Sequence, residues 1–252
     1  MKRIWKTKEG GFWTSRLPQN ENENSRKDEL PALLAELRDL PDESFWRECF
    51  GRYPQSASWP AEKMDELGRS ASACGEEQAA RLAGQSLDGL YGAHGLCVGE
   101  LEQTQASGMM LFALFEAPDR VLLRSDLLEA AEDYVKSTLP GLLREDLNCR
   151  ELILAHEFYH YLECREDSEL FTAAYRERSG LLGLPAVVPA LGEIGAMSFA
   201  RRLLSLEWNP FLLDCVMLAG TSPRSAAAIA RRLLASARPG EGPVKQEKER
   251  SE

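Results

Sequence analysis

The chain has 252 residues, of which 44% are hydrophobic, so it is long enough for one sizeable domain with extensions or for two small domains. Its formal net charge of −10 argues against a general nucleic-acid binder, which needs a basic surface. No apolar run approaches the roughly 18 residues of a membrane-spanning helix. The six cysteines form no CxxC pair or compact framework, which is typical of reduced thiols in a cytoplasmic protein.

Changes in composition along the sequence divide the chain into five predicted parts. Residues 1–30 include a polar run that cannot bury enough surface to order itself, and they are predicted to be a flexible N-terminal segment. Residues 31–75 are predicted to be a helical extension, whose aromatic side chains pack against the main domain rather than bind a ligand. Residues 76–218 form the predicted main domain, 219–237 a C-terminal helix, and 238–252 a disordered tail rich in proline, glycine and charge.

Within these parts the predicted helices span about 30–51, 62–92 and 125–137, with two more beginning near Leu191 and Pro223. Short apolar runs at 96–98, 109–115 and 120–123, separated by turn residues, predict a small antiparallel sheet. The region around Pro185 and Pro189 is predicted to be a loop. The expected fold is therefore α+β and mostly helical, with the sheet packed beside a metal-binding helix in a zincin-like arrangement.

The sequence from His156 to His160, HEFYH, places two of the three histidines within one helical turn, with an acid between them. Residues four apart lie on the same face of an α-helix, so both imidazoles can reach one zinc ion at about 2.0–2.1 Å. Glu157 is then placed to accept a proton from a water on that ion, which is the HExxH pattern of zinc peptidases. The spacing predicts a metal site with Glu157 as its catalytic residue.

The alternative for this motif is a pair of core histidines hydrogen-bonded to nearby carboxylates. The other faces of the helix are apolar, which predicts that it is buried. Because an unpaired charge in a core is costly, all three polar side chains need partners, and one metal ion would satisfy them together. We therefore favour the metal.

Two histidines leave zinc incompletely coordinated, so a third protein ligand is expected. Glu193 lies on an apolar stripe of the helix that begins near Leu191, where a carboxylate is anomalous unless a metal pairs with it. Gly192 and Gly195 beside it would let this helix approach the histidine helix closely.

Other interpretations of the acids and of the third histidine remain open. Glu193 could simply complement the positive end of its own helix. Glu163, one turn after His160, is the rival ligand, and we favour it as an outer hydrogen-bond acceptor that fixes a histidine tautomer. His94 lies in a glycine-flanked turn, where a structural or exposed role is expected.

Residues 76–218 resemble the ImmA/IrrE family of zinc metallopeptidases. The matching pieces, in the family's order, are ARLA from Ala80, GLCV from Gly95, SGM from Ser107, RVLL from Arg120, LAHEFYH from Leu154 and EIGAMSFARRLL from Glu193. The last is similar to the family's ExxAxxFAxxLL signature, whose glutamate completes a gluzincin-type site. Two features depart from the family: Tyr159 stands where glycine is common, and residues 1–75 contain no convincing helix-turn-helix module.

The resemblance implies that His156, His160 and Glu193 bind Zn²⁺ and that Glu157 is the catalytic acid/base. It also implies a compact α+β domain. Since relatives act on transcriptional repressors, the expected partner is a protein or peptide substrate, with a DNA-binding repressor as one candidate. Neither direct nucleic-acid binding nor membrane binding is expected, and the sequence leaves the oligomeric state open.

The leading hypothesis is a zinc-dependent metallo-endopeptidase. The alternative is a catalytically weak or inactive metal-binding regulatory module that binds a partner protein. Tyr159, Tyr161 and Tyr175 are candidates for stabilising an oxyanion, and the sequence does not choose among them. A di-iron helix bundle would need a second ExxH motif, which the chain lacks.

Overall fold

The computed structural model describes residues 14–16, 29–102, 109–139, 148–179 and 183–237. Its helices are α1 Leu30–Arg38, α2 Asp42–Gly51, α3 Ala61–Arg81, α4 Leu87–His94, α5 Ser125–Thr138, α6 Cys149–Cys164, α7 Phe171–Ala174, α8 Pro189–Leu203, α9 Leu213–Ala219 and α10 Pro223–Ala237. Its strands are β1 Thr14–Arg16, β2 Cys97–Glu100, β3 Met109–Leu111, β4 Ala113–Glu116, β5 Arg120–Leu123, β6 Glu177–Ser179 and β7 Leu184–Ala186. The predominance of helix confirms the predicted α+β class. None of the helices in the described ranges is long and apolar enough to cross a membrane.

The main sheet has the strand order β2-β5-β4, and the prediction that it is antiparallel was wrong for one of its two pairings. β4 and β5 form an antiparallel hairpin, but β2 runs parallel to β5. The reason is topological: after β2 the chain crosses to the far edge of the sheet, forms β4 there, and turns back so that β5 lies between them. β4 contacts α6 and is the strand of this sheet beside the histidine helix.

The N-terminal segment contributes one described element. β1 pairs antiparallel with β3, with Thr14 opposite Leu111 and Arg16 opposite Met109. The remainder of the segment predicted to be flexible, residues 1–13 and 17–28, lies outside the described residues, as does the predicted tail at 238–252.

Most predicted helices are present, with two of them divided. Helix 30–51 is two helices that meet at Pro41, and helix 62–92 is divided into α3 and α4. The hydroxyl of Ser86 accepts a hydrogen bond from the Gly89 amide and starts α4, while Gly95 ends it in a left-handed conformation with φ of 66°. Helices α5 and α10 lie where they were predicted. Helix α9 and the β6–β7 hairpin, around the expected loop at Pro185, were not predicted.

Helices α3, α6 and α8 pack together at the centre of the fold. A methyl group added at Gly75 of α3 would overlap the backbone carbonyl of Gly195 in α8, so the two helices touch through their backbones there. On the other side of α8, the buried Tyr159 ring of α6 packs against Gly195 and Phe199. The glycines of α8 therefore permit the close approach that the sequence predicted.

One hydrophobic cluster includes buried side chains from α1 to α3, from α6 and α8, and from α9 and α10. The predicted boundaries between residues 31–75, 76–218 and 219–237 stay a prediction, but all three ranges contribute to this core. Helix α2 in particular contacts α3, α8 and α10. Residues predicted as an extension thus lie near the helix that carries Glu193.

Candidate metal centre

Helix α6 begins where the side chain of Asn148 accepts a hydrogen bond from the Glu151 amide. Its apolar residues are buried on several sides, as the sequence predicted. His156 and His160, four residues apart, are therefore on one face of a fixed helix, with little freedom to swing away from each other.

The side chains of His156, His160 and Glu193 meet between α6 and α8. The two Nε2 atoms are 3.0 Å apart. Oε2 of Glu193 lies 3.5 Å from Nε2 of His156, and its Oε1 lies 3.6 Å from Nε2 of His160. Two imidazole nitrogens and one carboxylate thus converge on a common point.

These separations match the dimensions of a zinc site. Ligand atoms at about 2.0–2.1 Å from a tetrahedral ion lie about 3.3 Å from one another. The observed distances of 3.0, 3.5 and 3.6 Å are close to that value, and the two helix backbones need not move to supply it. The three residues could hold a divalent metal ion.

Glu163 holds the outer side of the second histidine. Its Oε2 is 2.8 Å from Nδ1 of His160. When Nδ1 donates that bond, Nε2 presents its lone pair to the common point, as a metal ligand must. A methyl group added at Gly192 would lie 3.0 Å from the Glu163 carboxylate, so the glycine makes room for this acid. The predicted outer role of Glu163 fits this geometry.

Glu157 is the least satisfied acid of the site. It is 0% exposed, and neither of its carboxylate oxygens has a hydrogen-bond partner in the described part of the chain. Burial raises its pKa to about 8, an effect that the nearby charge of His160 and the backbone amide of Phe115 in β4 only partly offset. The Phe115 amide therefore lies near the carboxylate without forming a well-aligned bond. A buried acid with no partner lowers the stability of the fold, and such acids are found most often at functional sites.

The ligand side chains balance each other's charge. Burial lowers the pKa of His156. Burial acts in the same direction on His160, but the carboxylates of Glu163 and Glu193 outweigh it and raise the pKa of His160 to about 9. Burial would raise the pKa of Glu193, yet the two histidines keep it well below its usual value. A proton on His160 thus supplies the positive charge that a bound cation would otherwise supply.

The remaining candidates lie elsewhere. The Tyr159 hydroxyl is 2.9 Å from Thr172 Oγ1 in the core, and that of Tyr175 donates to Glu177. The Tyr161 hydroxyl is 3.2 Å from Nδ1 of His94. His94 is outside the ligand group, consistent with the structural role expected for it. All six cysteines are free thiols, as predicted.

Two residues near Glu193 were missed, and both follow α2. Burial is the main cause that raises the pKa of Tyr53, and the negative charge of Glu193 is the second. Tyr53 therefore lies close to Glu193. The guanidinium of Arg52 helps to lower the pKa of Glu193. Neither proximity has a signal in the sequence, because about 140 residues separate α2 from α8 and no periodic pattern connects them.

A cleft of about 680 Å³ lies between α3 and residues 165–171. It is lined by side chains such as Cys74 and Phe171, and the three converging ligands are not among them. Four of its five charged lining residues form ion pairs with one another, Arg81 with Glu77 and Arg165 with Asp167. Its size therefore does not make it the functional site.

Comparisons of the chain with protein-family models, with curated proteins and with solved structures find no significant match. The function is therefore inferred from the geometry of His156, His160 and Glu193 and from the unpartnered carboxylate of Glu157 beside them.

Proposed function

We propose that this protein is a zinc-dependent metallo-endopeptidase with His156, His160 and Glu193 as its zinc ligands. The observation that carries the proposal is the convergence of these three side chains beside a buried carboxylate, Glu157, that has no other partner in the described residues. The resemblance of residues 76–218 to the ImmA/IrrE family supports the same assignment. It also suggests a protein substrate, with a transcriptional repressor as the candidate.

Zinc held by these residues would polarise a peptide carbonyl and make a water molecule more acidic. Glu157 would accept the proton of the attacking water on its carboxylate and then donate it to the leaving amine. Glu163 would keep the His160 ring in the orientation that ligation needs. The apolar faces of α6 would exclude bulk water and so strengthen each of these interactions.

The site favours an extended substrate. His156 is fully buried, and the side chains of His160 and Glu193 are only 12% and 11% exposed. A folded surface could not reach so recessed a group, but a single extended strand could. β4, the strand beside α6, is an edge of its sheet among the described strands and could pair with such a strand.

The same recessed position favours a second candidate function. If no substrate reaches the ligands, the centre would stabilise a regulatory module that binds a partner protein without cutting it. The two functions make different predictions for the zinc-loaded protein, since only a peptidase cleaves peptides with a dependence on Glu157.

The test uses the full chain, loaded with zinc, and a pool of synthetic peptides of mixed sequence analysed by mass spectrometry. We expect the wild-type protein to cleave the pool and a chelator to stop cleavage. Glu157→Gln should retain one zinc per chain, but its cleavage rate should fall by at least about a hundredfold. The reason is that the amide of glutamine cannot accept the proton. Glu151→Gln, which makes the same change at an exposed position of the same helix, is the control and should cleave like the wild type.

Cleavage by Glu157→Gln at the wild-type rate would rule out the proposed mechanism. Zinc binding with no cleavage of any peptide by the wild-type protein would instead support the regulatory module.

A further inference from the structure

The hydroxyl group of Tyr53 is free within the described part of the chain. It forms no hydrogen bond there, although the Tyr53 side chain is half-buried. By contrast, hydroxyl partners are present for all three tyrosines that the sequence proposes as oxyanion donors, Tyr159, Tyr161 and Tyr175. Of these four tyrosines, only Tyr53 has a hydroxyl that is available to a bound ligand.

The backbone of Tyr53 is held in a fixed turn after the end of α2. Its amide donates to the Phe50 carbonyl over 3.2 Å, and its carbonyl accepts hydrogen bonds from the amides of Ser56 and Ala57. The buried hydroxyl of Ser56 donates to the same Phe50 carbonyl over 2.7 Å. Because the turn is already ordered, little backbone entropy would be lost when the Tyr53 hydroxyl binds a ligand.

Two contacts place this segment against the start of α8. The side-chain amide of Gln55 donates to the Val187 carbonyl over 2.9 Å. On the other side of the turn, the Cys49 thiol donates to the Ala190 carbonyl over 3.8 Å. Tyr53 lies between these two attachment points in the sequence, so it lies near the same part of α8.

This part of α8 carries Glu193, one helical turn after Ala190. The pKa of Tyr53 is raised first by burial and next by the charge of Glu193, in agreement with the position of the turn. The phenol forms no hydrogen bond with that carboxylate, so it is close to the ligand group without being used by it. Glu157, the proposed proton acceptor, comes instead from α6 and lies near Phe115 of β4.

We propose that Tyr53 is a further catalytic residue of this site, whose hydroxyl donates a hydrogen bond to the carbonyl oxygen of the scissile peptide bond as that oxygen gains negative charge. This role rests on the proposed function. Tyrosine keeps its proton at neutral pH and so remains a donor. A donor placed where charge develops stabilises the transition state more than the bound substrate. The segment predicted as a helical extension would thus complete the active site.

The test compares Tyr53→Phe with Tyr134→Phe in the full chain loaded with zinc. Both substitutions remove one hydroxyl, and the half-buried Tyr134 of α5 also has a hydroxyl without a hydrogen bond among the described residues. Burial raises the pKa of Tyr134 without a contribution from the charges of the ligand group, so it is a control outside the site. Isothermal titration calorimetry measures the binding of N-phosphoryl-leucinamide, whose tetrahedral, negatively charged phosphoryl group resembles the transition state. This readout does not require cleavage.

Tyr53→Phe should bind the phosphoramidate at least about tenfold more weakly than the wild type, the loss expected for one hydrogen bond to a charged group. Tyr134→Phe should bind like the wild type, and all three proteins should hold one zinc per chain. With a peptide that the wild type cleaves, Tyr53→Phe should lower kcat by a similar factor and leave KM nearly unchanged.

Equal affinity of the three proteins for the phosphoramidate would overturn the proposal, even if the wild type cleaves peptides. Loss of zinc from Tyr53→Phe would also overturn it, because the role of the hydroxyl would then be structural. Weaker binding by Tyr53→Phe, with no cleavage by the wild type, would support the contact of the hydroxyl with the anion and refute the peptidase. The two failures are therefore distinguishable.

Discussion

Two groups of buried charges lie near each other in this protein and are balanced in opposite ways. In the first, the guanidinium of Arg52 binds the carboxylates of Glu48 and Asp214, and Arg232 binds the other oxygen of Glu48. The protein supplies its own cations there. In the second, Glu193 is paired only with the two histidines among the described residues, and Glu157 has no such partner. Among the described residues, the second group contains no side chain that is positively charged at every ordinary pH.

The difference separates a charge cluster that supplies its own cations from one that could bind a metal ion. Arg52 joins α2 to α9, and its charge is permanent at any ordinary pH. A histidine is positive only when protonated, and a proton on Nε2 prevents that atom from binding metal. The group between α6 and α8 could therefore bind an added cation, whereas the Arg52 cluster already contains its own cations.

The largest expected effect comes from a substitution that disrupts the second group. Glu193→Ala removes the only carboxylate among the three converging ligands, so zinc measured after dialysis should fall from about one per chain to near zero. Glu163→Gln should keep zinc in place but lower its affinity by about 10–100-fold, since it removes only the acceptor behind His160. Full zinc occupancy in Glu193→Ala would refute the ligand assignment.

A smaller effect is expected from breaking the first group. Arg52→Met would leave two buried carboxylates without their shared cation and should lower the free energy of unfolding by about 3 kcal/mol in urea titrations. Zinc stoichiometry should be unchanged, because Arg52 is not a ligand.

Arg232→Met is the matched control for that cluster. Arg232 also contacts Glu48, but its side chain is 55% exposed, so the loss should be below about 1 kcal/mol. Equal losses in the two variants would mean that burial does not distinguish these arginines.

The smallest expected effect tests whether the second group depends on helix spacing. A methyl group at Gly195 would lie 2.6 Å from the Tyr159 hydroxyl, so Gly195→Ala should cost about 1–3 kcal/mol of stability and also weaken zinc binding as α8 shifts away from α6. Gly92→Ala, in α4 with open space around it, should instead stabilise the protein by about 0.5–1 kcal/mol. Thermal unfolding and zinc titration of both variants make the comparison. Unchanged stability and zinc affinity in Gly195→Ala would show that the spacing is not critical.

The part of the site that the sequence could predict is the part with local spacing. His156 and His160 lie on one face because they are four residues apart, and Glu193 stands out in the sequence as an acid on an apolar stripe. The sequence could not predict that Arg52 and Tyr53 lie near Glu193, since that proximity arises from the packing of α2 on α8.

The same limit explains the errors in the fold predicted from the sequence. Individual strands have local signals, but the order β2-β5-β4 is set by which strands meet after a crossover, so the parallel pairing of β2 had no signal. The β6–β7 hairpin was missed because Pro185 lies within β7, and proline usually argues against a strand.

The backbone contact between Gly75 and Gly195 has a consequence for any attempt to miniaturise this protein. A fragment from Cys149 to Leu203 would contain the three proposed ligands and Glu157, yet it would lack α3, the helix on which α8 packs. Without α3, α8 would keep its contact with α6 through Tyr159 but would lose its backbone contact with Gly75, so the position of Glu193 relative to the histidines would be less firmly fixed. The motif is short, but the frame that aligns it draws on residues more than seventy positions earlier in the chain.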